Sequence, residues 1–266
     1  MSELKTPLRY PGGKTRAAAM LIENMPSYSE YREPFVGGGS VFIKAKQTNP
    51  DAEYWINDLL FDLYSFWSQI KFNKDAVIAI IKELKKRYDD GKDLYKYLID
   101  NRQLFSDTEI GAAFFILNRI TFSGTTWSGG YSQSAFDGRF TDSSIKRAEE
   151  ISSLLQDTKI TNYDYSYLLQ AEGENVFIFM DPPYYSAAKS ALYGNNGDLH
   201  KWFDHERFAE DVKKCKHKWM ITYDDSPYVR ELFKDYEIIP FDLMYGMRNV
   251  SKNSEMIGKE ILIKNY

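Results

Sequence analysis

Residues 176–184 read Val-Phe-Ile-Phe-Met-Asp-Pro-Pro-Tyr, an apolar run that stops at an acid and two prolines. β-Branched and aromatic residues favour a buried strand, and proline ends it because its ring removes a backbone donor and keeps the preceding residue extended. The run therefore predicts a strand over Val176–Met180 whose carboxyl end presents Asp181, the Pro182 carbonyl and the Tyr184 ring. In open parallel sheets, ligands bind at that edge.

These three groups suit an amino group attached to a flat heterocycle. Asp181 and the Pro182 carbonyl accept hydrogen bonds from such an amine, while Tyr184 stacks on the ring. A strand that ends in a polar turn is the plainer alternative. The tetrapeptide resembles the Asp/Asn/Ser-Pro-Pro-Tyr/Phe signature of the DNA amino-methyltransferases, whose aspartate form is typical of enzymes that methylate adenine at N6. The resemblance implies that Asp181, Pro182 and Tyr184 are catalytic and that S-adenosylmethionine binds nearby.

A second motif, Glu-Pro-Phe-Val-Gly-Gly-Gly-Ser, covers residues 33–40. Glycines between a short strand and a helix let the backbone pass close under a cofactor, and Ser40 is expected to cap the helix. The strand-like run Tyr54–Asp58 ends in an acid nineteen residues after Gly39. Nucleotide-binding folds place their ribose-hydroxyl acceptor about 20 residues beyond the glycines. A flexible turn and an ordinary strand-end acid are the alternatives, but the joint pattern favours a cofactor site.

The opening segment, residues 8–15, reads Leu-Arg-Tyr-Pro-Gly-Gly-Lys-Thr and precedes a helix-like run over residues 16–24. A phosphate-binding loop requires glycine where Leu8 stands, so this is not a Walker motif. Lys14 lies near a helix start, where a cation and local amides suit a carboxylate. We therefore expect Lys14 to meet the methionine carboxylate of the cofactor.

Taken together, Pro-Gly-Gly-Lys, the glycine motif, Asn57–Asp58 and Asp-Pro-Pro-Tyr resemble the DNA adenine methyltransferase (Dam) family over nearly the whole chain. The resemblance implies an α/β fold, a Rossmann-like S-adenosylmethionine-dependent methyltransferase sheet with an inserted, mainly helical target-recognition domain. It implies a catalytic domain from residues 1–61 and 159–266 and a DNA-binding insertion over residues 62–158. The predicted cofactor-binding residues are Tyr10, Lys14, Glu33, Phe35, Gly37, Gly39, Asp58, Tyr163, Asp164 and Asp181. Tyr10 stands where tryptophan is common, and either ring suits stacking.

The predicted insertion contains helix-like runs over Leu63–Ile70, Lys74–Tyr88 and Thr108–Arg119. A Gly/Ser/Thr loop with aromatic side chains follows over residues 121–132, and it suits base stacking or groove insertion as well as a plain mobile loop. The target-recognition region of the Dam family begins with Asn-Arg, which Asn118 and Arg119 match. Downstream, however, this chain lacks the basic Arg-Tyr-Asn-like run that is common in family members that read GATC. GATC is therefore one candidate target, and the sequence leaves others open. The predicted DNA-binding residues are Arg9, Asn118, Arg119, Trp127, Arg248 and Lys252.

Further strand-like runs cover Lys159–Asp164, Trp219–Tyr223, Tyr236–Phe241 and Lys259–Lys264. Because helix-like segments separate most of them, the pattern predicts a mostly parallel sheet with a late antiparallel hairpin, the helical insertion lying over the carboxyl edge. Tyr163 and Asp164 would then form a wall for the cofactor adenine. The polar segment Tyr185–Asp204 is predicted to be a loop that becomes ordered when DNA binds.

Composition agrees with these expectations. The chain of 266 residues is 43% hydrophobic, enough to bury a substantial core. Its net charge of −4 is unusual for a DNA-binding protein, although one face can still be basic. A single cysteine, Cys215, cannot form an internal disulfide, which favours a reducing compartment. The resemblance to the Dam family implies a cytoplasmic protein that is prokaryotic or phage-encoded. The histidines at 200, 205 and 217 are predicted to be surface residues, and neither a metal site nor a membrane span is expected.

The sequence therefore predicts a site-specific methyltransferase that acts on a flipped adenine of double-stranded DNA and releases S-adenosylhomocysteine. The chain would act as a monomer, with a dimer on DNA as the alternative, and a role in restriction-modification is compatible. Cytosine-N4 methylation, methylation of RNA or of a protein amide, and a non-catalytic nucleotide-responsive DNA-binding protein are the competing hypotheses. The cysteine lies far in sequence from the motifs, which argues against the cysteine-nucleophile route used at cytosine C5.

Overall fold

The computed structural model describes residues 3–10, 12–186, 203–244 and 257–266. In this part of the chain, seven strands form one sheet. The strands are β1 (Glu30–Glu33), β2 (Glu53–Asn57), β3 (Thr158–Thr161), β4 (Val176–Met180), β5 (Lys218–Asp224), β6 (Glu237–Met244) and β7 (Ile257–Lys264). The helices are α1 (Ala18–Glu23), α2 (Ser40–Thr48), α3 (Phe61–Phe72), α4 (Lys74–Arg87), α5 (Gly91–Asn101), α6 (Asp107–Ile120), α7 (Gln133–Arg139), α8 (Asp142–Glu150), α9 (Ser152–Leu155), α10 (Tyr165–Gln170), α11 (His205–Lys214) and α12 (Pro227–Leu232). Short 3₁₀ turns cover Lys14–Arg16, Arg102–Leu104, Phe122–Gly124 and Thr126–Ser128.

The strand order is β3-β2-β1-β4-β5-β7-β6, and of these seven strands β7 alone runs in the direction opposite to the other six. This arrangement confirms the predicted mostly parallel sheet with a late antiparallel hairpin. The chain moves outward from β1 through β2 to β3 and then places β4 on the other side of β1. Such a reversal opens a crevice at the carboxyl ends of β1 and β4, the usual ligand site of open α/β sheets.

Strand β4 lies at the centre of the core, as its apolar run predicts. Phe177 and Phe179 pack into one apolar cluster, whereas Ile178 and Met180 pack into a second cluster. Because successive side chains of a strand point to opposite faces, β4 is covered on both sides. Full burial of one such side chain contributes about 1.5–3 kcal/mol. The polar Asp181 that follows is thereby placed at the edge of the sheet.

Helices α3–α9 lie between β2 and β3 in the chain. The rings of Phe66 in α3 and Phe115 in α6 stack 5.9 Å apart, and a capping box between Ser106 and Glu109 begins α6. The predicted helices of this region correspond to α3, α4 and α6. Phe66, Phe115 and Phe177 of the sheet belong to one continuous core, so the helices are anchored on the sheet. The division into catalytic and recognition domains stays a prediction.

Two sequence predictions are wrong. Ser40 does not cap α2, because the helix begins at Ser40 itself and Gly39 occupies the N-cap position with a left-handed backbone. His205 is a buried residue, not a surface residue, because α11 packs it against Tyr223 and Phe203. His217 is partly buried beside Arg32, and His200 lies outside the described residues.

Within the described ranges, no helix is both long enough and apolar enough to cross a membrane. The same ranges contain no group of three or more His, Cys, Asp or Glu side chains placed to hold a metal ion.

Candidate active site

The glycine loop after β1 lies between two aromatic side chains. Gly37 and Gly39 have φ angles of 47° and 69°, in the left-handed region that favours glycine. A Cβ atom on Gly37 would lie 2.9 Å from Cε1 of Tyr10, and one on Gly39 would lie 2.8 Å from Cζ2 of Trp67. The Trp67 indole N–H also donates to the Gly37 carbonyl at 3.1 Å. Backbone conformation and close approach therefore both require glycine in this loop.

Asp58 lies directly beside the glycine loop, at the carboxyl end of β2. Its Oδ2 accepts from the Gly37 amide and its Oδ1 from the Leu60 amide, both at 3.0 Å. Burial raises the pKa of Asp58 to about 6, and the two amide bonds oppose that rise. The side chain is still partly exposed. The structure thus places a partly accessible carboxylate where the spacing of the sequence predicts the ribose acceptor.

Asn57 connects the loops after β1, β2 and β3, a role that sequence reasoning did not find. Its Nδ2 donates to the carbonyls of Pro34 and Tyr163, both at 3.0 Å. Its Oδ1 accepts from the Tyr163 amide and the Thr161 hydroxyl, both at 2.8 Å. The Asn-Asp pair that ends β2 was the available signal. These bonds fix the Tyr163 backbone beside β2, and the Tyr163 side chain is 46% exposed.

Asp164 contributes to local structure beside Tyr163. Its carboxylate accepts from the Ser166 amide at 3.0 Å and so caps α10. It also pairs with the Arg207 guanidinium at 2.9 Å. The carboxylate is therefore already engaged in holding α10 and α11 together.

Glu33 ends β1, and Phe35 follows it just before the glycine loop. Glu33 is buried and accepts hydrogen bonds from the Tyr31 hydroxyl at 2.5 Å and from the Phe42 amide. Burial raises the pKa of Glu33 well above its usual range, and the nearby charge of Asp181 acts in the same direction. The Phe35 ring stacks on Tyr165 with 5.6 Å between ring centres. In this structure, Glu33 is thus engaged with Tyr31 and α2, and Phe35 packs against α10.

Asp181 is held by two side chains from different parts of the sequence. Lys14 Nζ donates to its Oδ2 at 2.8 Å, and the Thr222 hydroxyl donates to its Oδ1 at 2.7 Å. Lys14 is 2% exposed, donates to the Gly12 carbonyl at 2.8 Å, and lies 3.9 Å from Oε2 of the buried Glu260. The lysine that we expected beside the cofactor carboxylate thus forms an ion pair with Asp181.

Tyr184, the last residue of the tetrapeptide, and the two residues after it are held by β5. The Tyr184 ring stacks on Tyr223 with 6.0 Å between ring centres, and the Tyr223 hydroxyl is hydrogen-bonded to Nδ1 of His205. The buried Asp224 carboxylate accepts from the amides of residues 185 and 186 at 2.8 and 3.2 Å. Strand β5 therefore supplies support that the sequence motifs did not reveal.

Asn118 is fully buried and joins the opening segment to the aromatic loop. Its Oδ1 accepts from the Arg9 amide at 2.8 Å, and its Nδ2 donates to the Arg9 carbonyl at 2.7 Å and to the Gly124 carbonyl at 3.3 Å. The side-chain amide is thus committed to the protein. These bonds favour a role in orienting Arg9 over direct contact with DNA.

The other predicted DNA-binding residues have varied surroundings. Arg119 is 4% exposed, its Cζ atom lies 5.5 Å from the Phe115 ring centre, and burial lowers the pKa of its guanidinium to about 10. The Arg102 guanidinium lies 4.8 Å from the ring centre of the half-buried Trp127. Phe122, which we had not singled out as a site residue, is 61% exposed in the aromatic loop. Arg248 and Lys252 lie outside the described residues, as does most of the predicted Tyr185–Asp204 loop.

The order of the strands and the acids at their carboxyl ends narrow the class of protein to which this chain can belong. An open, mostly parallel sheet of this order, with carboxylates at the carboxyl ends of β2 and β4, is the fold of a Rossmann-like methyltransferase. The sequence model of the D12 class N6 adenine-specific DNA methyltransferase family matches residues 10–247. The chain belongs to this family.

Several relatives carry names that agree with this membership. A DNA N-6-adenine-methyltransferase of Escherichia phage P1 is 25% identical over 94% of this chain, which spans 34% of the phage protein's length. A type II methyltransferase of Lactococcus lactis subsp. cremoris is 24% identical over 97% of the chain and 94% of its own length. A DNA adenine methylase of Vibrio cholerae is 24% identical over 95% of the chain and 92% of its own length. The predicted similarity to the Dam family is confirmed.

Proposed function

We propose that the protein binds S-adenosylmethionine at the carboxyl ends of β1, β2 and β3 and methylates N6 of an adenine flipped out of duplex DNA. The observation that carries this proposal is that the Asp181 carboxylate is accessible and only partly hydrogen-bonded, its side chain being 22% exposed. A carboxylate offers about four lone-pair sites. In the described part of the chain, Lys14 and Thr222 occupy one site each. The remaining sites can accept hydrogen bonds from an amino group.

The residues on the cofactor side fit S-adenosylmethionine. Asp58 offers lone pairs to ribose hydroxyls, and the exposed ring of Tyr163 offers a face to adenine. The left-handed glycines keep the loop free of side chains beside Tyr10. When bound, the cofactor supplies an electrophilic methyl group on a sulfonium. S-adenosylhomocysteine would be the product.

The tetrapeptide would receive the target base. Flipping an adenine out of the stack costs a few kcal/mol, and stacking on Tyr184 offsets part of that cost. Asp181 and the Pro182 carbonyl would accept hydrogen bonds from the two amino hydrogens and turn the nitrogen lone pair out of ring conjugation, so that it is aimed in line at the methyl group. The new N–C bond would form as the C–S bond breaks, and the methylated nitrogen would then lose one proton. The reaction needs positioning and electrostatic stabilisation rather than a covalent intermediate. Cys215 is poorly suited to a nucleophilic role because burial raises the pKa of its thiol.

Residues 62–158 form the recognition part in this proposal. Asn118 positions Arg9 through its backbone, and Phe122 lies exposed in the loop that follows α6. Arg9, Arg119, Trp127, Arg248 and Lys252 are the proposed contacts with DNA. GATC is the first recognition sequence to test, and the protein is proposed to act as a monomer in the cytoplasm.

The experiment measures transfer of labelled methyl from S-adenosylmethionine to unmethylated duplex DNA, followed by mass analysis of the nucleosides. We expect N6-methyladenine from the wild type and none from Asp181→Ala. Asp51→Ala, which removes an exposed carboxylate near the start of β2, should match the wild type. N4-methylcytosine as the product, or full activity of Asp181→Ala, would contradict the proposal. Duplexes with and without GATC separate the target sequence from the chemistry.

A further inference from the structure

The Asp181 carboxylate is clamped from two sides. Thr222 lies on β5, the strand next to β4, and it is fully buried. Its hydroxyl holds Oδ1, whereas the Lys14 ammonium holds Oδ2. Because the two donors engage different oxygens, the carboxylate cannot rotate about its terminal torsion without losing at least one bond. The lone pairs that remain therefore point in fixed directions.

We propose that Thr222 is a positioning residue for methyl transfer, which holds the Asp181 carboxylate in the orientation in which its free lone pairs meet the target amino group. This inference rests on the proposed function. Thr222 suits the role because its β-branched side chain has few rotamers and its buried surroundings restrict them further. Its hydroxyl is therefore aimed before the base arrives.

The Thr222 hydroxyl keeps Oδ1 of Asp181 from turning toward Lys14, whose positive charge attracts both carboxylate oxygens. The ammonium has three donors and is fixed by the Gly12 carbonyl and by the nearby Glu260. Without the Thr222 hydroxyl, nothing in the described residues would hold Oδ1, and the carboxylate would turn until both oxygens faced Lys14. The ion pair would survive, but the acceptor sites would point away from the substrate. The loss should therefore appear in the chemical step and not in ligand binding.

The test compares Thr222→Val, which keeps the shape of the side chain, with Thr222→Ser, which keeps the hydroxyl. The single-turnover rate constant of methyl transfer should fall about 10- to 100-fold in Thr222→Val, since small misplacements cost rates of that order. The dissociation constants of DNA and cofactor should change by less than about twofold, because the hydroxyl binds neither ligand. Thr222→Ser should stay within about threefold of the wild-type rate, since it restores the donor with a less restricted rotamer.

Thr158→Val is the matched control. Thr158 is also a fully buried strand threonine, and its hydroxyl bonds to Lys46 and Leu154 at 2.8 and 2.9 Å, away from the tetrapeptide. Loss of the Thr158 hydroxyl should leave the single-turnover rate constant of methyl transfer unchanged. Thr222→Ala removes the hydroxyl without adding a methyl group beside the carboxylate, so a rate loss shared with Thr222→Val reports the hydrogen bond.

Three results would overturn the inference. These are a wild-type rate in Thr222→Val, a Thr222→Ser variant as slow as Thr222→Val, and a slower rate matched by an equal loss of ligand affinity. A wild type that forms no N6-methyladenine would instead reject the proposed function. The two failures are therefore distinguishable in the same assay.

Discussion

Asp58 and Asp181 lie on the same edge of the sheet, after β2 and β4, but they are held in different ways. Backbone amides of Gly37 and Leu60 hold Asp58, so its position depends on the shape of the glycine loop. Side chains of Lys14 and Thr222 hold Asp181, so its position depends on particular residues elsewhere in the sequence. Loop conformation therefore builds the proposed cofactor side, whereas buried side-chain partners build the proposed catalytic side.

The largest expected effect comes from removing the cation on the catalytic side. Lys14→Met takes away the charge that faces both Asp181 and the buried Glu260. We expect the free energy of unfolding to fall by about 3 kcal/mol, because one partner of a buried pair is lost. Chemical denaturation measures this change. Lys44→Met, which breaks an exposed pair with Glu3, should cost less than about 1 kcal/mol. Equal losses in the two variants would mean that the buried pair has no special weight.

A smaller effect is expected from altering the loop on the cofactor side. Gly39→Ala places a Cβ atom 2.8 Å from Trp67 at a φ of 69°. We expect a loss of about 2 kcal/mol in the free energy of unfolding, from backbone strain and steric overlap, together with weaker cofactor binding. Gly130→Ala is the control, since a Cβ there meets nothing within 4 Å. A fully stable Gly39→Ala variant would show that the loop can relax and that its glycine is dispensable.

The smallest expected effect is a pH dependence of cofactor affinity that belongs to Asp58 alone. Its pKa is raised to about 6, so lowering the pH through that value protonates the carboxyl and removes an acceptor for ribose hydroxyls. Affinity should therefore be highest above about pH 7 and fall about tenfold by about pH 5, where roughly one carboxyl in ten is ionised. Calorimetric titration at several pH values measures this dependence.

Asp58→Asn should bind weakly at every pH and lose the dependence. Asp51→Asn changes an exposed acid near the start of β2 and should keep the wild-type profile. A pH dependence that persists in Asp58→Asn would assign the titration to another group.

Sequence predicted the sheet well because its signals are local. The apolar run Val176–Met180 became β4, and the proline pair ended it where expected. Asp58 and Asp181 also lie where strand ends and spacing place them, since the carboxyl ends of parallel strands share one edge.

The supports of the site were not predictable in the same way. Thr222 and Glu260 reach the site from β5 and β7, and no local pattern distinguishes them from other strand residues. Ser40 was wrongly expected to cap α2, because a left-handed Gly39 occupies the N-cap position and Ser40 is the first helical residue. His205 was wrongly expected at the surface, because its burial depends on Tyr223, a tertiary contact. Residues that act through distant partners need the fold before their role can be inferred.

The Asn118 side chain bonds to the Arg9 backbone and to the Gly124 carbonyl, and these bonds have a consequence for the affinities of the two ligands. They join the segment that carries Tyr10 to the loop that contains Phe122, so the proposed cofactor side and the proposed DNA side share one anchor. Two ligands that each stabilise a shared anchor favour one another, and thermodynamic linkage makes the effect equal in both directions. We therefore expect DNA to tighten cofactor binding by the same factor by which the cofactor tightens DNA binding.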